Sequence, residues 1–269
     1  MNEIKHNDLN ELTNEIKIIS KQAADKILEI YETDFSVEHK ADHSPLTAAD
    51  MAAHQTICES LKKLTPNTPI LSEESADISY SERQSWEQYW LVDPLDGTRE
   101  FVKRNGEFSV NIALIEKEKS ILGVIHIPVS GVNYCASLNN GAYKCESNNI
   151  PVEIMARKTD ADNITIAGSR SHGNEQQRNF ISKLNDPEIL TIGSSLKFCL
   201  VAEGLADIYP RFGPTSEWDS GAAQCIVEES GAIVVDTNFK TLKYNTKESL
   251  LNPSFLVISD KEFDWSQYM

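Results

Sequence analysis

Tyr89-Trp90-Leu91-Val92-Asp93-Pro94-Leu95-Asp96-Gly97-Thr98-Arg99-Glu100-Phe101 is the stretch on which the reading of this chain turns. A short apolar run ends abruptly in two aspartates, a proline, a glycine and a threonine. The pattern predicts a buried strand that delivers Asp93 to its end, where Pro94 fixes φ and Gly97 allows a sharp turn. Asp93 and Asp96, with the carbonyl of Leu95 between them, can then face one point in space. Two carboxylates held together repel unless a cation lies between them, and hard oxygen ligands suit Mg²⁺, Mn²⁺ or Ca²⁺ rather than zinc. Just beyond, the N–H groups of Gly97 and Thr98 are placed to receive an anion such as phosphate. A lone D-x-x-D is a common acidic turn, but D-P-L-D-G-T behind an apolar strand is much rarer, and the metal reading is preferred.

D-P-L-D-G-T resembles the central motif of the inositol monophosphatase superfamily of Mg²⁺-dependent, lithium-sensitive phosphatases. The continuation Arg99-Glu100-Phe101 and the strand Phe108-Ser109-Val110-Asn111-Ile112-Ala113-Leu114-Ile115 are similar to one branch, the 3′(2′),5′-bisphosphate nucleotidases. Arg99 stands where that branch commonly has lysine, which keeps the charge.

Composition sets the outer bounds. A chain of 269 residues, 40% hydrophobic and 25% charged, can bury a sizeable core as one large domain or two small ones. A formal net charge of −16 argues against a nucleic-acid polymer or an anionic membrane as a general partner. The same charge repels a phosphate substrate, so divalent metals and a few local cations would have to invert the field at the site. Cys58, Cys135, Cys145, Cys199 and Cys225 lack C-x-x-C spacing, which predicts neither a disulfide framework nor a zinc knuckle. The N-terminus lacks an apolar signal core and no apolar run approaches about 18 residues, so no transmembrane segment is expected. A soluble protein of the reducing cytoplasm is the reading, with peripheral membrane association and oligomeric state left open.

On the N-terminal side, Leu9, Leu12, Ile16, Ile19, Ala23, Ile27 and Ile30 form one apolar stripe, predicting a core-packing helix over 8–31. Asp8 and Glu11 fit a capping box with Asp in the place of Ser or Thr. Thr47 is expected to cap a second helix to about Leu64, which puts Asp50 in its first turn, where it could do no more than complement the helix dipole. The resemblance adds a role: the superfamily carries a similar K-x-D-x-S-x-x-T-x-x-D stretch, whose last Asp acts on the attacking water. Pro69 to Ser75 reads as a short strand running into Glu73 and Glu74. Adjacent glutamates are ordinarily solvated, but the resemblance makes Glu73 a metal ligand and leaves Glu74 without an assignment. Residues 75–88 read as a surface loop or short helix.

Beyond the central motif, strands are expected over 109–115, 121–127 and 132–137, with a hairpin turn at Asn139-Asn140-Gly141 and one further strand before a boundary near Ala156. The second half alternates strands (164–167, 206–209, 233–235, 255–258) with helices (176–184, 194–204, 218–230). Pattern alone gives mixed α and β with a boundary near Ala156, and the resemblance makes 1–156 an N-terminal metal-binding domain and 157–269 a C-terminal substrate-binding domain. The resemblance implies the layered α-β-α-β-α sandwich of the superfamily.

Glu217-Trp218-Asp219-Ser220-Gly221-Ala222 opens the last of those helices. Asp219 could be a routine cap, but the resemblance favours a metal ligand, since W-D-x-G-A is the superfamily's other ligand motif. Ser169 and His172 lie between a strand and a helix, where they could meet a phosphate or a base. Ser194, Lys197 and Arg211 match the nucleotide-contacting residues of the bisphosphate nucleotidase branch in type and spacing.

The expectation is therefore a phosphatase that removes the 3′-phosphate of adenosine 3′,5′-bisphosphate, in sulfate assimilation and nucleotide recycling. Glu73, Asp93, the Leu95 carbonyl, Asp96 and Asp219 would hold two or three Mg²⁺ ions. Asp50, Thr98 and Glu73 would serve the attacking water. Gly97, Thr98, Ser169, His172, Ser194, Lys197, Arg211 and Asp219 would bind substrate. The alternatives are an inositol-phosphate or sugar-bisphosphate phosphatase with the same acids, or a catalytically silent nucleotide sensor.

Overall fold

The structure is a computed structural model that describes residues 4–33, 45–146, 150–168 and 174–269. Helices α1 (Leu9–Tyr31) and α2 (Pro45–Leu64) pack side by side. Strand β1 (Ile70–Ser72) leads through the short helix α3 (Tyr80–Arg83) to β2 (Gln88–Asp96), and helix α4 (Thr98–Val102) connects β2 to β3 (Ser109–Glu116). Strands β4 (Lys119–His126), β5 (Asn133–Ser137), β6 (Ala142–Cys145) and β7 (Pro151–Ile154) follow as a meander. These seven strands form one sheet in sequence order, with β1 parallel to β2 and β2 antiparallel to β3.

The second sheet holds five strands in the order β11-β12-β10-β8-β9. They are β8 (Thr165–Gly168), β9 (Glu188–Thr191), β10 (Ile208–Arg211), β11 (Ile233–Asp236) and β12 (Phe255–Ile258). Helices α5 (Glu175–Ser182), α6 (Leu196–Ala202) and α7 (Glu217–Glu229) lie between them in sequence.

The period-two alternation of β2 explains the layering. Trp90 and Val92 join the core under α1 and α2, whereas Tyr89 and Leu91 face the other way, into a core shared with α6, α7 and the inner face of the second sheet. The outer face of that second sheet, with Ile166, Ile208 and Leu256, is covered by Phe180 and Leu184 and by Trp265. The result is five layers, α-β-α-β-α, as the superfamily resemblance implies.

One close approach fixes the middle layer against the first sheet. A Cβ at Gly123 of β4 would stand 2.1 Å from the carbonyl oxygen of Ala222, and one at Gly221 would stand 2.8 Å from Leu91 Cδ2. Both positions must be bare for α7 to seat on the strands. That contact places the first turn of α7, from the C-terminal half of the chain, beside the end of β2.

Local signals differ in three places. Asp8 makes no side-chain cap, because it closes a 3-10 turn (His6–Asp8) with a helical backbone (φ −97°, ψ −4°) instead of the extended one a cap requires. Thr47 lies inside α2, whose described residues run from Pro45, and is not its cap. Asp50 accordingly lies beyond the first turn. Strand β9 (Glu-Ile-Leu-Thr) is unmarked in the sequence, since it is an edge strand with little burial and no alternation.

Candidate active site

The end of β2 is irregular, and the irregularity makes the site. Asp93 pairs with Asn111 of β3, but the register then slips before Asp96 meets Ser109. Pro94 has no N–H to give the ladder. Asp93 is buried at 1% exposure, and its Oδ1 accepts the N–H of Leu95 at 3.1 Å. The Leu95 side chain is buried in the core, so only its backbone can serve the site. Gly97 follows at φ +93°, and a Cβ there would stand 3.1 Å from the Glu107 carbonyl oxygen and 3.2 Å from Phe108 Cα. A side chain is therefore opposed both by conformation and by space. Thr98 opens α4 and is exposed.

Other elements bring further acids to Asp93. The parallel register pairs Ser72 with Val92, so Glu73 emerges next to Asp93. Asp50 reaches the site from α2, with 8% of its surface exposed. Asp219 arrives on the first turn of α7, where its Oδ2 accepts the Ser216 N–H at 2.9 Å as half of a reciprocal capping box. The capping role and the place among the acids hold together.

The charges crowd one another. Burial, and then the negative charges of Asp96, Glu73, Asp219 and Asp50, push the carboxyl of Asp93 well above the ordinary carboxylate range. Burial, followed by the charges of Glu74 and Glu73, raises Asp50 to about 8. Asp219 is raised to about 7 by burial and by Asp96, partly opposed by its bond to Ser216. Glu73 is also raised, by desolvation, Asp96 and Glu74, although its surface remains open to solvent.

The donor set fits a hard divalent cation. Every candidate donor is an oxygen, and Asp50 Oδ1 is buried without a hydrogen-bond partner among the described residues. No three His, Cys, Asp or Glu side chains among those residues form a ready-made cage. The acids nevertheless converge as a negative field around Asp93, which suits a hard divalent cation.

Cations lie on the far side of Asp96. A cavity of about 140 Å³ connects Asp96 and Asp219 to Ser194, Lys197 and Arg211. A larger space of about 660 Å³ runs along Gly97, Thr98 and Arg99 to Asn174, Gln177 and the stretch Tyr209–Pro214. Lys197 is only 6% exposed, not a solvated helix charge. Its Nζ donates to the Ser194 carbonyl at 2.5 Å and to that of Ile192 at 3.4 Å, and lies 5.4 Å from the centre of the Tyr209 ring. Burial, with Arg211 adding and Asp96 opposing, lowers its ammonium to about 8. Arg211 donates from Nη2 to the Pro214 carbonyl at 2.8 Å, and its Nε is buried without a partner among the described residues.

The structure thus brings Asp50, Glu73, Asp93, Leu95, Asp96, Gly97, Thr98 and Asp219 to one place, with Ser194, Lys197 and Arg211 adjoining it. Ser169 and His172 lie outside the described residues. Sequence reasoning passed over Tyr209, Gln177 and Asn174 as lining residues, and Ser109, Asn111 and Ser195 beneath Asp96. The available signal was the pair of polar residues, Ser109 and Asn111, inside an otherwise apolar strand.

Residues 8–263 match the model of the inositol monophosphatase family. The chain is 48% identical over 241 residues to the 3′(2′),5′-bisphosphate nucleotidase CysQ of Salmonella typhimurium, covering 89% of this chain and 96% of that protein. It is 39% identical over 260 residues to the protein of that name from Haemophilus influenzae, covering 96% of each. Among solved structures, CysQ from Bacteroides thetaiotaomicron superposes with a TM-score of 0.83 at 40% identity, covering 91% of this chain and 97% of that one. An inositol monophosphatase from Zymomonas mobilis shares the fold, with a TM-score of 0.78 at 22% identity and 96% coverage of each chain.

Proposed function

The chain belongs to the inositol monophosphatase family, and from that premise we propose that it is a metal-dependent 3′(2′),5′-bisphosphate nucleotidase. It hydrolyses the 3′-phosphate of adenosine 3′,5′-bisphosphate to give AMP and inorganic phosphate. The substrate class follows from the extent of its likeness to the CysQ nucleotidases, and the reaction belongs to sulfate assimilation and nucleotide recycling. One observation carries the site reading: Asp93 is buried in the field of four other carboxylates, and the only cations of the adjoining cavity among its described lining residues are Arg99, Lys197 and Arg211.

Glu73, Asp93, the Leu95 carbonyl, Asp96 and Asp219 would hold the metal, two or three Mg²⁺ ions in all. When bound, the ions supply Lewis-acid polarisation of the phosphoryl group and charge stabilisation at the leaving oxygen. The residues do the rest. Thr98 orients the attacking water through its hydroxyl, and Asp50 takes the proton, with Glu73 beside them. N–H groups of Gly97 and Thr98 receive phosphoryl oxygens. Ser194, Lys197 and Arg211 take the 5′-phosphate and the nucleoside end, where a second phosphate meets the positive side of the cavity.

The test is release of inorganic phosphate by the purified protein from adenosine 3′,5′-bisphosphate, inositol monophosphate and a sugar bisphosphate. Turnover with Mg²⁺ and none with EDTA is expected, with the nucleotide preferred. A preference for inositol monophosphate would overturn the substrate assignment, and absence of turnover on all three would favour a binding protein.

A further inference from the structure

Asp96 takes two hydrogen bonds from a single turn between β9 and α6. Its Oδ2 accepts the backbone N–H of Ser195 at 2.6 Å and the hydroxyl of Ser194. Ser194 sits at φ +53°, a left-handed backbone conformation that few non-glycine residues adopt, so the turn must be held by its surroundings. From above, Lys197 grips the Ser194 carbonyl at 2.5 Å, and Glu107 Oε2 accepts the Gly193 N–H at 2.9 Å. From below, the Ser109 hydroxyl lies 2.7 Å from that of Ser194 and 2.9 Å from that of Ser195. Asn111 Oδ1 receives the Ser109 hydroxyl at 3.0 Å and the Ser195 hydroxyl at 3.1 Å.

This polar knot is buried: Ser109 is 0% and Asn111 1% exposed. Polar groups in such a place carry a desolvation cost, and Asn111 Nδ2 is buried without a hydrogen-bond partner among the described residues, so the turn is held through Asn111 Oδ1 and the serine hydroxyls. Ser194 spends its proton on Asp96, so toward Ser109 its oxygen can only accept, and the single Ser109 proton is shared between Ser194 and Asn111 Oδ1. A carboxylate that ligates a metal works in one orientation, and the groups bonded to it set that orientation.

We propose that Ser109 and Asn111 are positioning residues which, through the Ser194–Ser195 turn, aim the Asp96 carboxylate and so set the affinity of the site for its divalent cation. The proposal rests on the reading of Asp96 as a metal ligand. Neither residue touches substrate or metal; both act through the turn.

Titration of the metal-free protein with Mn²⁺, followed by the electron paramagnetic resonance of free Mn²⁺, reads the affinity without turnover. Ser109→Ala should weaken binding on the order of five- to tenfold, the cost of one lost hydrogen bond in a buried network. Ser109→Thr, which keeps the hydroxyl and suits a strand, should restore it. The Mg²⁺ concentration giving half-maximal rate should rise in parallel for Ser109→Ala. Should that variant fail to fold, Ser195→Ala keeps the N–H to Asp96, removes a hydroxyl of the same knot and reads the same quantity. Wild-type Mn²⁺ affinity in the alanine variant, or equal weakening by alanine and threonine, would overturn the proposal. Asp96→Asn distinguishes the two levels: unchanged affinity there refutes the ligand reading itself, and weakened affinity there beside an unaffected Ser109→Ala refutes only the positioning role.

Discussion

Asp219 Oδ2 accepts the backbone N–H of Ser216 at 2.9 Å, so the residue that faces the acids at the end of β2 also closes the first turn of α7. The two duties respond differently to substitution. Asn keeps an acceptor for Ser216 and nearly the same volume, but loses the charge. Asp219→Asn should therefore lose most phosphatase activity while its melting temperature stays at or above that of the metal-free wild type, since a repelled charge has gone. Asp219→Ala should lose activity and also about 1 kcal/mol of stability, as a lost cap does. Activity assays beside thermal melts in EDTA check both; an Asn variant with near wild-type turnover at saturating Mg²⁺ would remove Asp219 from the ligand set.

The acids at the metal end are legible in the sequence because each sits in a compact motif: Glu73 in S-E-E-S, Asp93 and Asp96 in D-P-L-D-G-T, Asp219 in W-D-S-G-A. The stripe of α1 is legible too, but the layers follow from the resemblance, because β2 and β3 are continuous apolar runs buried on both faces. What is not legible depends on distant packing. Lys197 enters the site in the sequence only through the resemblance, and the fold alone buries it over Tyr209 and against the Ser194 carbonyl. Ser109 and Asn111 gain their meaning from a turn some 85 residues later in the chain. Thr47 carries a good local cap signal, yet the chain is already helical at Pro45.

Metal binding should depend on pH in a definite direction. Asp50 is raised to about 8 and Asp219 to about 7, from an ordinary value of 3.8. A carboxyl with a raised folded-state pKa binds more protons folded than unfolded, so between about pH 4 and pH 8 the metal-free protein loses stability as pH rises. Mg²⁺ replaces those protons with positive charge. The rise in melting temperature on adding Mg²⁺ should then be larger at about pH 8 than at about pH 5.5. His126, lowered to about 4 by burial, acts in the opposite sense between that value and 6.5, but it contributes with and without metal and drops out of the difference. Equal Mg²⁺ shifts at both pH values would show that these carboxyls are not emptied of protons by the metal.

Substrate choice should rest on Arg211. Its Nε is buried without a partner among the described residues, and the side chain borders both cavities beside Asp96. A charge-assisted bond to phosphate is strong enough that Arg211→Ala should lower kcat/KM for adenosine 3′,5′-bisphosphate roughly tenfold or more. Slow turnover of inositol monophosphate, which lacks the second phosphate, should change little. Equal loss on both substrates would mean that Arg211 supports the fold or the metal end instead.

The attacking water should depend on Asp50 and Thr98 as a unit. Asp50 comes from α2 and Thr98 opens α4, two helices that pack against each other, and Asp50 Oδ1 waits buried with no partner among the described residues. Catalytic hydrogen bonds often tighten only once substrate is bound, so the free oxygen is compatible with a working pair. Asp50→Asn and Thr98→Ala should each lower kcat by roughly a hundredfold with smaller effects on KM, because both act on water and not on the nucleotide. Asp50→Asn should be no less stable than the wild type in EDTA, since it removes a carboxyl that burial and two glutamates oppose. If the pair shares one proton, the double variant should be little slower than either single variant. Losses that multiply cleanly across the cycle would show that the two side chains act independently, and Asp50 would then be left with a role in the field around the metal.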